Sequence, residues 1–134
     1  MSARTTRVGR SPTGLGLFAV KAFKRGDYIA TYRGPRIPSE EADRREARGA
    51  RYMFTIDARW TIDGSPRWNK ARYINHACKP NAKAVLRNGG IVIVALRRIE
   101  VDEEITYDYG QDYLDLFFKH GCRCATCRAK TRAR

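Results

Sequence analysis

Short apolar stretches bounded by turn residues recur along the chain, and they predict strands in preference to long helices. Residues 15–20 and 28–32 are two such stretches, separated by the turn signal Lys24-Arg25-Gly26-Asp27. Residues 52–57 and 60–63 form a second pair, the latter ending in the turn dipeptide Asp63-Gly64. Residues 82–87 and 91–98 flank Asn88-Gly89-Gly90, which predicts a hairpin. A last strand is expected over 104–109, followed by a helical turn in the aromatic segment 113–118. One modest helix is expected: Ser39, after Pro38 and ahead of Glu40 and Glu41, is placed to cap it, and Gly49 to end it. Residues 67–74 allow one or two further helical turns, and residues 1–12 read as a basic, largely unstructured lead-in. The fold class predicted is therefore mostly β with short helices.

Length and charge narrow the picture. A chain of 134 residues fits one compact domain, and 43% hydrophobic residues suffice for a core. The longest apolar run, residues 91–96, is far short of the roughly 20 residues that span a bilayer. The N-terminal residues lack the apolar stretch of a secretory signal, so an intracellular, reducing compartment and no membrane contact are expected. The net charge of +13 is unevenly placed: residues 1–10 and 119–134 carry basic residues and no acid, while residues 99–115 are acidic. Such a field attracts nucleic acid or acidic partners, although solvated tails explain the same pattern. No aromatic residue interleaves with the basic tails, which weakens a base-stacking role for them.

The four cysteines change the picture more. Cys122, Cys124 and Cys127 form a tight C-x-C-x-x-C cluster, and Cys78 stands apart. A reducing compartment disfavours disulfides, and neighbouring cysteines of a Cys-x-Cys pair bridge each other poorly. Thiolates so close together require a cation, and tetrahedral zinc takes four ligands at about 2.3 Å from sulfur. Cys78 is the remaining cysteine for the fourth position, with His76 and His120 as substitutes.

Three further segments carry candidate chemistry: Thr13-Gly14-Leu15-Gly16, the run from Arg72 through Asn75-His76-Ala77-Cys78 to Pro80-Asn81, and Glu104-Ile105-Thr106-Tyr107-Asp108-Tyr109. Singly, each has an ordinary explanation. A lone Gly-x-Gly is more often a turn than a cofactor loop, and two tyrosines sharing one strand face are usually core. Together and in this order, with the terminal cysteine cluster, they resemble the SET-domain protein lysine methyltransferases over about residues 9–130.

The resemblance implies a β-clip-like SET fold of several small sheets, with a pseudoknotted C-terminal segment whose last strand passes under the loop of Asn75 to Cys78. It divides the chain into a lead-in (1–8), a SET domain (9–112, with a helical insert at 39–50) and a post-SET zinc-binding tail (113–134). It implies S-adenosylmethionine as cofactor, contacted by Thr13, Gly14, Leu15, Tyr52, Asn75 and His76, and a protein lysine as methyl acceptor. Tyr109 matches the catalytic tyrosine, Tyr107 the position that tunes methyl number, and Tyr32 a wall of the lysine channel. Cys78, Cys122, Cys124 and Cys127 match the ligands of one structural zinc. The acids Asp102, Glu103, Glu104, Asp108 and Asp112 would favour a basic substrate such as a histone or another DNA-associated protein. A cytoplasmic setting is expected, or a nuclear, chromatin-associated one in a eukaryote. The competing reading is a catalytically silent, zinc-stabilised basic module that binds nucleic acid or protein.

Overall fold

The computed structural model describes residues 4–110. Ten short strands form three small sheets around one core, as the recurrent apolar stretches predict. Strands β1 (Thr6–Ser11), β2 (Gly14–Ala19), β3 (Tyr28–Tyr32) and β4 (Arg36–Pro38) lead into the helix α1 (Ser39–Ala47). Strands β5 (Met53–Thr55) and β6 (Trp60–Asp63), a 3₁₀ turn (Lys70–Tyr73) and β7 (Asn75–His76) follow. The described chain ends through β8 (Ala82–Arg87), β9 (Gly90–Ala95) and β10 (Glu104–Tyr107).

The sheets run in the orders β1-β2-β10-β7, β3-β9-β8 and β4-β6-β5. Strand β9 is buried nearly throughout because it lies between β3 and β8, which accounts for its unbroken apolar sequence. The β8–β9 hairpin closes through Asn88 (φ 53°) and Gly89 (φ 76°), with Arg87 opposite Gly90. Both loop residues thus have the left-handed conformation that matches strand twist. Leu17, Phe23, Ile74, Ile93, Ile99 and Ile105 form the fully buried centre.

Several expectations need correction. The lead-in is ordered from Thr6, because β1 pairs with β2 along its whole length, Thr6 opposite Ala19 to Ser11 opposite Gly14. Thr6 is buried and Val8 packs on the core, while the Arg7 guanidinium lies 4.8 Å from the Phe18 ring centre; the outward arginines disguise a strand as a basic tail. Ser39 is the first helical residue and not the cap. Pro38 occupies the cap position, and the Ser39 hydroxyl binds Thr61 Oγ1 (2.9 Å) and the Asp57 carbonyl (3.2 Å), tying the helix to β6. Gly49 ends the helix with φ 95°, its amide bonding the Glu46 carbonyl and that of Ala50 the Arg45 carbonyl. Strand β10 ends at Tyr107, and β4 and β7 are short strands with no sequence signal.

Strand β10 sits between β2 and β7, antiparallel to the first and parallel to the second. Asn81 holds it from a third side: its Nδ2 donates to the Glu104 carbonyl at 2.8 Å, and its Oδ1 accepts the Thr106 amide at 2.9 Å. The expected helical turn at 113–118 and the zinc-binding tail lie outside the described residues. No helix among the described residues is long and apolar enough to cross a membrane.

Candidate active site

Tyr32 at the end of β3, Phe54 on β5 and Tyr107 on β10 bring aromatic rings from three sheets to one place. Tyr32 meets Phe54 edge-on at 5.0 Å, Phe54 faces Tyr107 at 6.2 Å, and Tyr107 meets Tyr109 at 5.0 Å. These rings, with Tyr52 and Arg72, line a cavity of about 480 Å³. Glu46 and Asp108 are the acids in its wall. Burial, reinforced by Asp43, raises the pKa of Glu46 above the usual carboxylate range.

Two backbone features hold the wall in place. Tyr52 has φ 71°, an uncommon conformation for a bulky residue. Its carbonyl accepts both the Tyr32 hydroxyl (2.8 Å) and the Gly64 amide (2.9 Å), and the Arg72 guanidinium lies 4.3 Å from its ring centre. Gly64 is required for close approach, since a Cβ there would lie 2.3 Å from the Tyr32 ring. The Tyr109 hydroxyl donates to the Ile74 carbonyl. A tyrosine hydroxyl that donates in this way is also able to accept.

A second cluster lies on the β1-β2-β10-β7 sheet. Asn75 Nδ2 donates to the Leu15 carbonyl (2.9 Å), to Glu104 Oε2 (2.8 Å) and to Ser11 Oγ (3.2 Å). With acceptors on every side of the nitrogen, Asn75 Oδ1 is left as an acceptor. Ser11 Oγ also contacts Thr13, so Thr13, Gly14, Leu15 and Asn75 form one group. Gly14 has φ 124° and open space beside it, and a Cβ at Gly16 would meet Glu104 Oε2 at 2.5 Å. His76 Nδ1 accepts the Tyr109 amide at 3.0 Å, which places the ring proton on Nε2. Burial lowers the His76 pKa, against the opposing charge of Asp108 at 3.6 Å, so the ring is held neutral. His76 therefore joins the two clusters.

The structure thus groups Tyr32, Tyr52, Tyr107 and Tyr109 around the cavity and Thr13, Gly14, Leu15 and Asn75 at the neighbouring sheet, with His76 between. Cys78 is exposed in the loop after β7, with Sγ 3.5 Å from His76 Nε2; Cys122, Cys124 and Cys127 lie outside the described residues. Among the described residues no group of three or more His, Cys, Asp or Glu side chains is arranged to hold a metal.

The sequence reading missed Phe54, Arg72 and Glu46. Phe54 was legible only as part of a strand, Arg72 only as the first residue of the segment that carries Asn75 and His76, and Glu46 as an ordinary surface charge. The proposed acidic face is also redistributed. Asp102 pairs with Arg7 at 3.4 Å, Glu103 with Arg97 at 2.8 Å, and Glu104 holds Asn75. Burial works against ionisation of Glu103, yet hydrogen bonds from the Glu100 amide, Arg97 and Asn81 hold its carboxyl below the usual range. Of the acids expected near the site and described here, Asp108 alone lines the cavity.

This site and fold define a known class. The SET domain family matches residues 14–110. The histone-lysine N-methyltransferase trithorax of Drosophila melanogaster is 39% identical over 124 residues, covering 86% of this chain and 3% of the relative. The human histone-lysine N-methyltransferase 2D is 39% identical over 127 residues, with 86% and 2% covered. The H3 lysine-4 specific histone-lysine N-methyltransferase of Aspergillus oryzae is 43% identical over 104 residues, with 70% and 8% covered. A solved structure, a humanized mutant of the Chaetomium thermophilum Polycomb Repressive Complex 2 bound to an inhibitor, superposes with a TM-score of 0.71. It is 31% identical and covers 88% of this chain and 16% of that one. The chain belongs to the SET domain family, and it spans only a small part of the length of these relatives.

Proposed function

We propose that this chain transfers a methyl group from S-adenosylmethionine to the side-chain amine of a lysine in a protein. The observation that carries the reading is the Tyr109 hydroxyl, fixed by the Ile74 carbonyl in the wall of an aromatic cavity. The relatives' names specify histones, and a histone or another DNA-associated basic protein is the substrate class proposed here.

The residues present fit the cofactor. An exposed turn at Thr13 and Gly14, open space beside Gly14 and an available Asn75 Oδ1 offer backbone and side-chain groups to its polar end. Gly14, Leu15, Asn75, His76 and Tyr52 would complete its contacts with Thr13. When bound, the cofactor supplies an electrophilic methyl on a sulfonium.

The remaining work falls to the chain. Alignment dominates an in-line displacement, and positioning can supply roughly 7–11 kcal/mol. The lysine must arrive as a neutral amine, although its pKa in water is about 10.4. Deprotonation at pH 8 costs about 3 kcal/mol. The rings of Tyr32, Phe54, Tyr107 and Tyr109 desolvate the amine, which lowers its pKa and removes the need for a strong base. Tyr109 then accepts an amine N–H and aims the lone pair.

Methyl-labelled cofactor, incubated with this protein and a cell extract, should label protein lysines identifiable by mass spectrometry. No labelled lysine from a folded, cofactor-binding protein would refute the reading. Tyr107 is 8% exposed, lines the cavity and is in edge contact with Tyr109, and the reading gives its hydroxyl the role of crowding a methylated amine. Tyr107→Phe should shift product from monomethyl towards di- and trimethyl lysine, read in the same spectra; an unchanged product would remove Tyr107 from control of methyl number.

The same reading assigns a structural zinc to Cys78, Cys122, Cys124 and Cys127. Cys78 fits because it is exposed in the loop that follows Asn75 and His76 of β7. His76 is a poor substitute, since its Nδ1 already accepts the Tyr109 amide. Metal analysis should give about one zinc per chain, lost in Cys78→Ser. A metal-free, fully active protein would disprove the ligand set.

A further inference from the structure

Trp68 is 64% exposed, more than any other large apolar residue described. It stands in the loop between β6 and the 3₁₀ turn, and that loop is not loose. Its neighbour Asn69 is completely buried and organises it. Asn69 Nδ2 donates to the Gly64 carbonyl at 3.0 Å, and its Oδ1 accepts the Arg33 amide at 2.9 Å. The Asn69 amide bonds the Pro66 carbonyl, and its own carbonyl accepts the Arg72 amide. The indole is therefore presented on a fixed loop, which lowers the entropic cost of using it for binding.

The charge around it is one-sided. Arg67 and Lys70 flank it in sequence, and Asn69 brings the Arg33 backbone alongside. All three are exposed, and among the described residues none of them forms an ion pair. Residues 64–77 contain no Asp or Glu. Elsewhere Arg7, Arg44, Arg45, Arg97 and Arg98 all pair with acids. The other exposed large apolar residues, such as Leu15, Tyr28, Leu86 and Val101, lie on other segments. Trp68 is thus a lone flat ring among cations, on a chain of net charge +13.

We propose that the Trp68 loop binds single-stranded nucleic acid. A base stacks on the indole, and Arg33, Arg67 and Lys70 take the flanking phosphates. Base stacking on an aromatic ring beside a cationic track is how sequence-tolerant binders hold single strands. A protein partner fits less well, because an interfacial tryptophan works inside a ring of contacts that excludes water. The proposal rests on the residues of this loop and not on the catalytic reading.

Fluorescence anisotropy with a labelled oligothymidylate of about 20 nucleotides tests it on the full chain. Trp68→Ala should weaken binding by about fivefold to a hundredfold, with Trp68→Phe retaining most of the affinity. Arg67→Gln and Lys70→Gln should each reduce the salt slope by about 0.7. Thermal melts matching the wild type establish that each variant is folded. Unchanged affinity in Trp68→Ala and Arg67→Gln would assign the attraction to the tails and overturn the proposal. So would absence of binding at low salt, or an equal loss of affinity for polyglutamate, which would identify an acidic protein as the occupant.

Discussion

Tyr109→Phe should lower the rate of methyl transfer by about a hundredfold or more, while cofactor affinity stays within about twofold. The hydroxyl does two things that phenylalanine cannot. It donates to the Ile74 carbonyl, which fixes the ring, and it offers the oxygen that would orient the substrate amine. The ring itself remains, packed against Tyr107 and His76, so the cavity keeps its shape. Loss of the bond to Ile74 leaves a carbonyl without its partner, which costs about 1–3 kcal/mol of stability. Single-turnover rates, calorimetric titration of the cofactor and a thermal melt separate the two contributions. A single-turnover rate equal to that of the wild type would remove Tyr109 from the chemistry.

Gly34→Ala should produce the largest loss of stability, about 3 kcal/mol or more. A Cβ at residue 34 would lie 1.9 Å from the Asp63 carbonyl oxygen and 2.7 Å from its carbon, with the Gly64 Cα at 3.3 Å. All three are backbone atoms, so no side-chain rotation relieves the clash. The displaced segment also carries Asp63, which binds Arg45 at 2.8 Å, and Gly64, whose amide holds the strained Tyr52 carbonyl. Movement there reaches the cavity wall. Gly90→Ala is the control, since its Cβ would meet nothing nearer than 3.8 Å. Denaturant midpoints that match for the two variants would contradict the packing described here.

Local rules made much of the fold legible. Asn88-Gly89 specified a hairpin because left-handed turns select those residues, and the apolar run after it specified a buried strand. What stayed hidden depends on partners distant in sequence. Strand β7 has two residues and exists only because Thr106 and Tyr107 lie beside it. Strand β1 looked like a tail because Arg7 lies over Phe18 and beside Asp102, neither of which is adjacent in sequence. Ser39 met the capping rule but found other partners, Thr61 on β6 and the Asp57 carbonyl before it.

The site divides in the same way. Tyr32, Tyr107, Tyr109, Asn75 and His76 were readable because their motifs carry the family resemblance. Glu104 was readable as the first residue of the segment ending in Tyr109 and as one charge in an acidic stretch, whereas the structure makes it the support of Asn75. Asp102 and Glu103 shared that stretch and point to Arg7 and Arg97 instead, because sequence spacing does not tell which arginine a carboxylate will meet. The proposed zinc ligation involves three cysteines beyond the described residues.

The interior position of β10 has a consequence in time. During synthesis β2 and β7 emerge long before residues 104–107, and until then they are separated by an unfilled slot with open hydrogen-bonding edges. Closing it joins Leu17 to Ile105 and His76 to Tyr107 across long stretches of chain, a slow class of contact. The same event delivers Glu104 to Asn75 and the Tyr109 amide to His76. A nascent chain therefore has neither the Asn75–Glu104 contact nor the packing of Tyr107 and Tyr109 in the cavity until β10 docks.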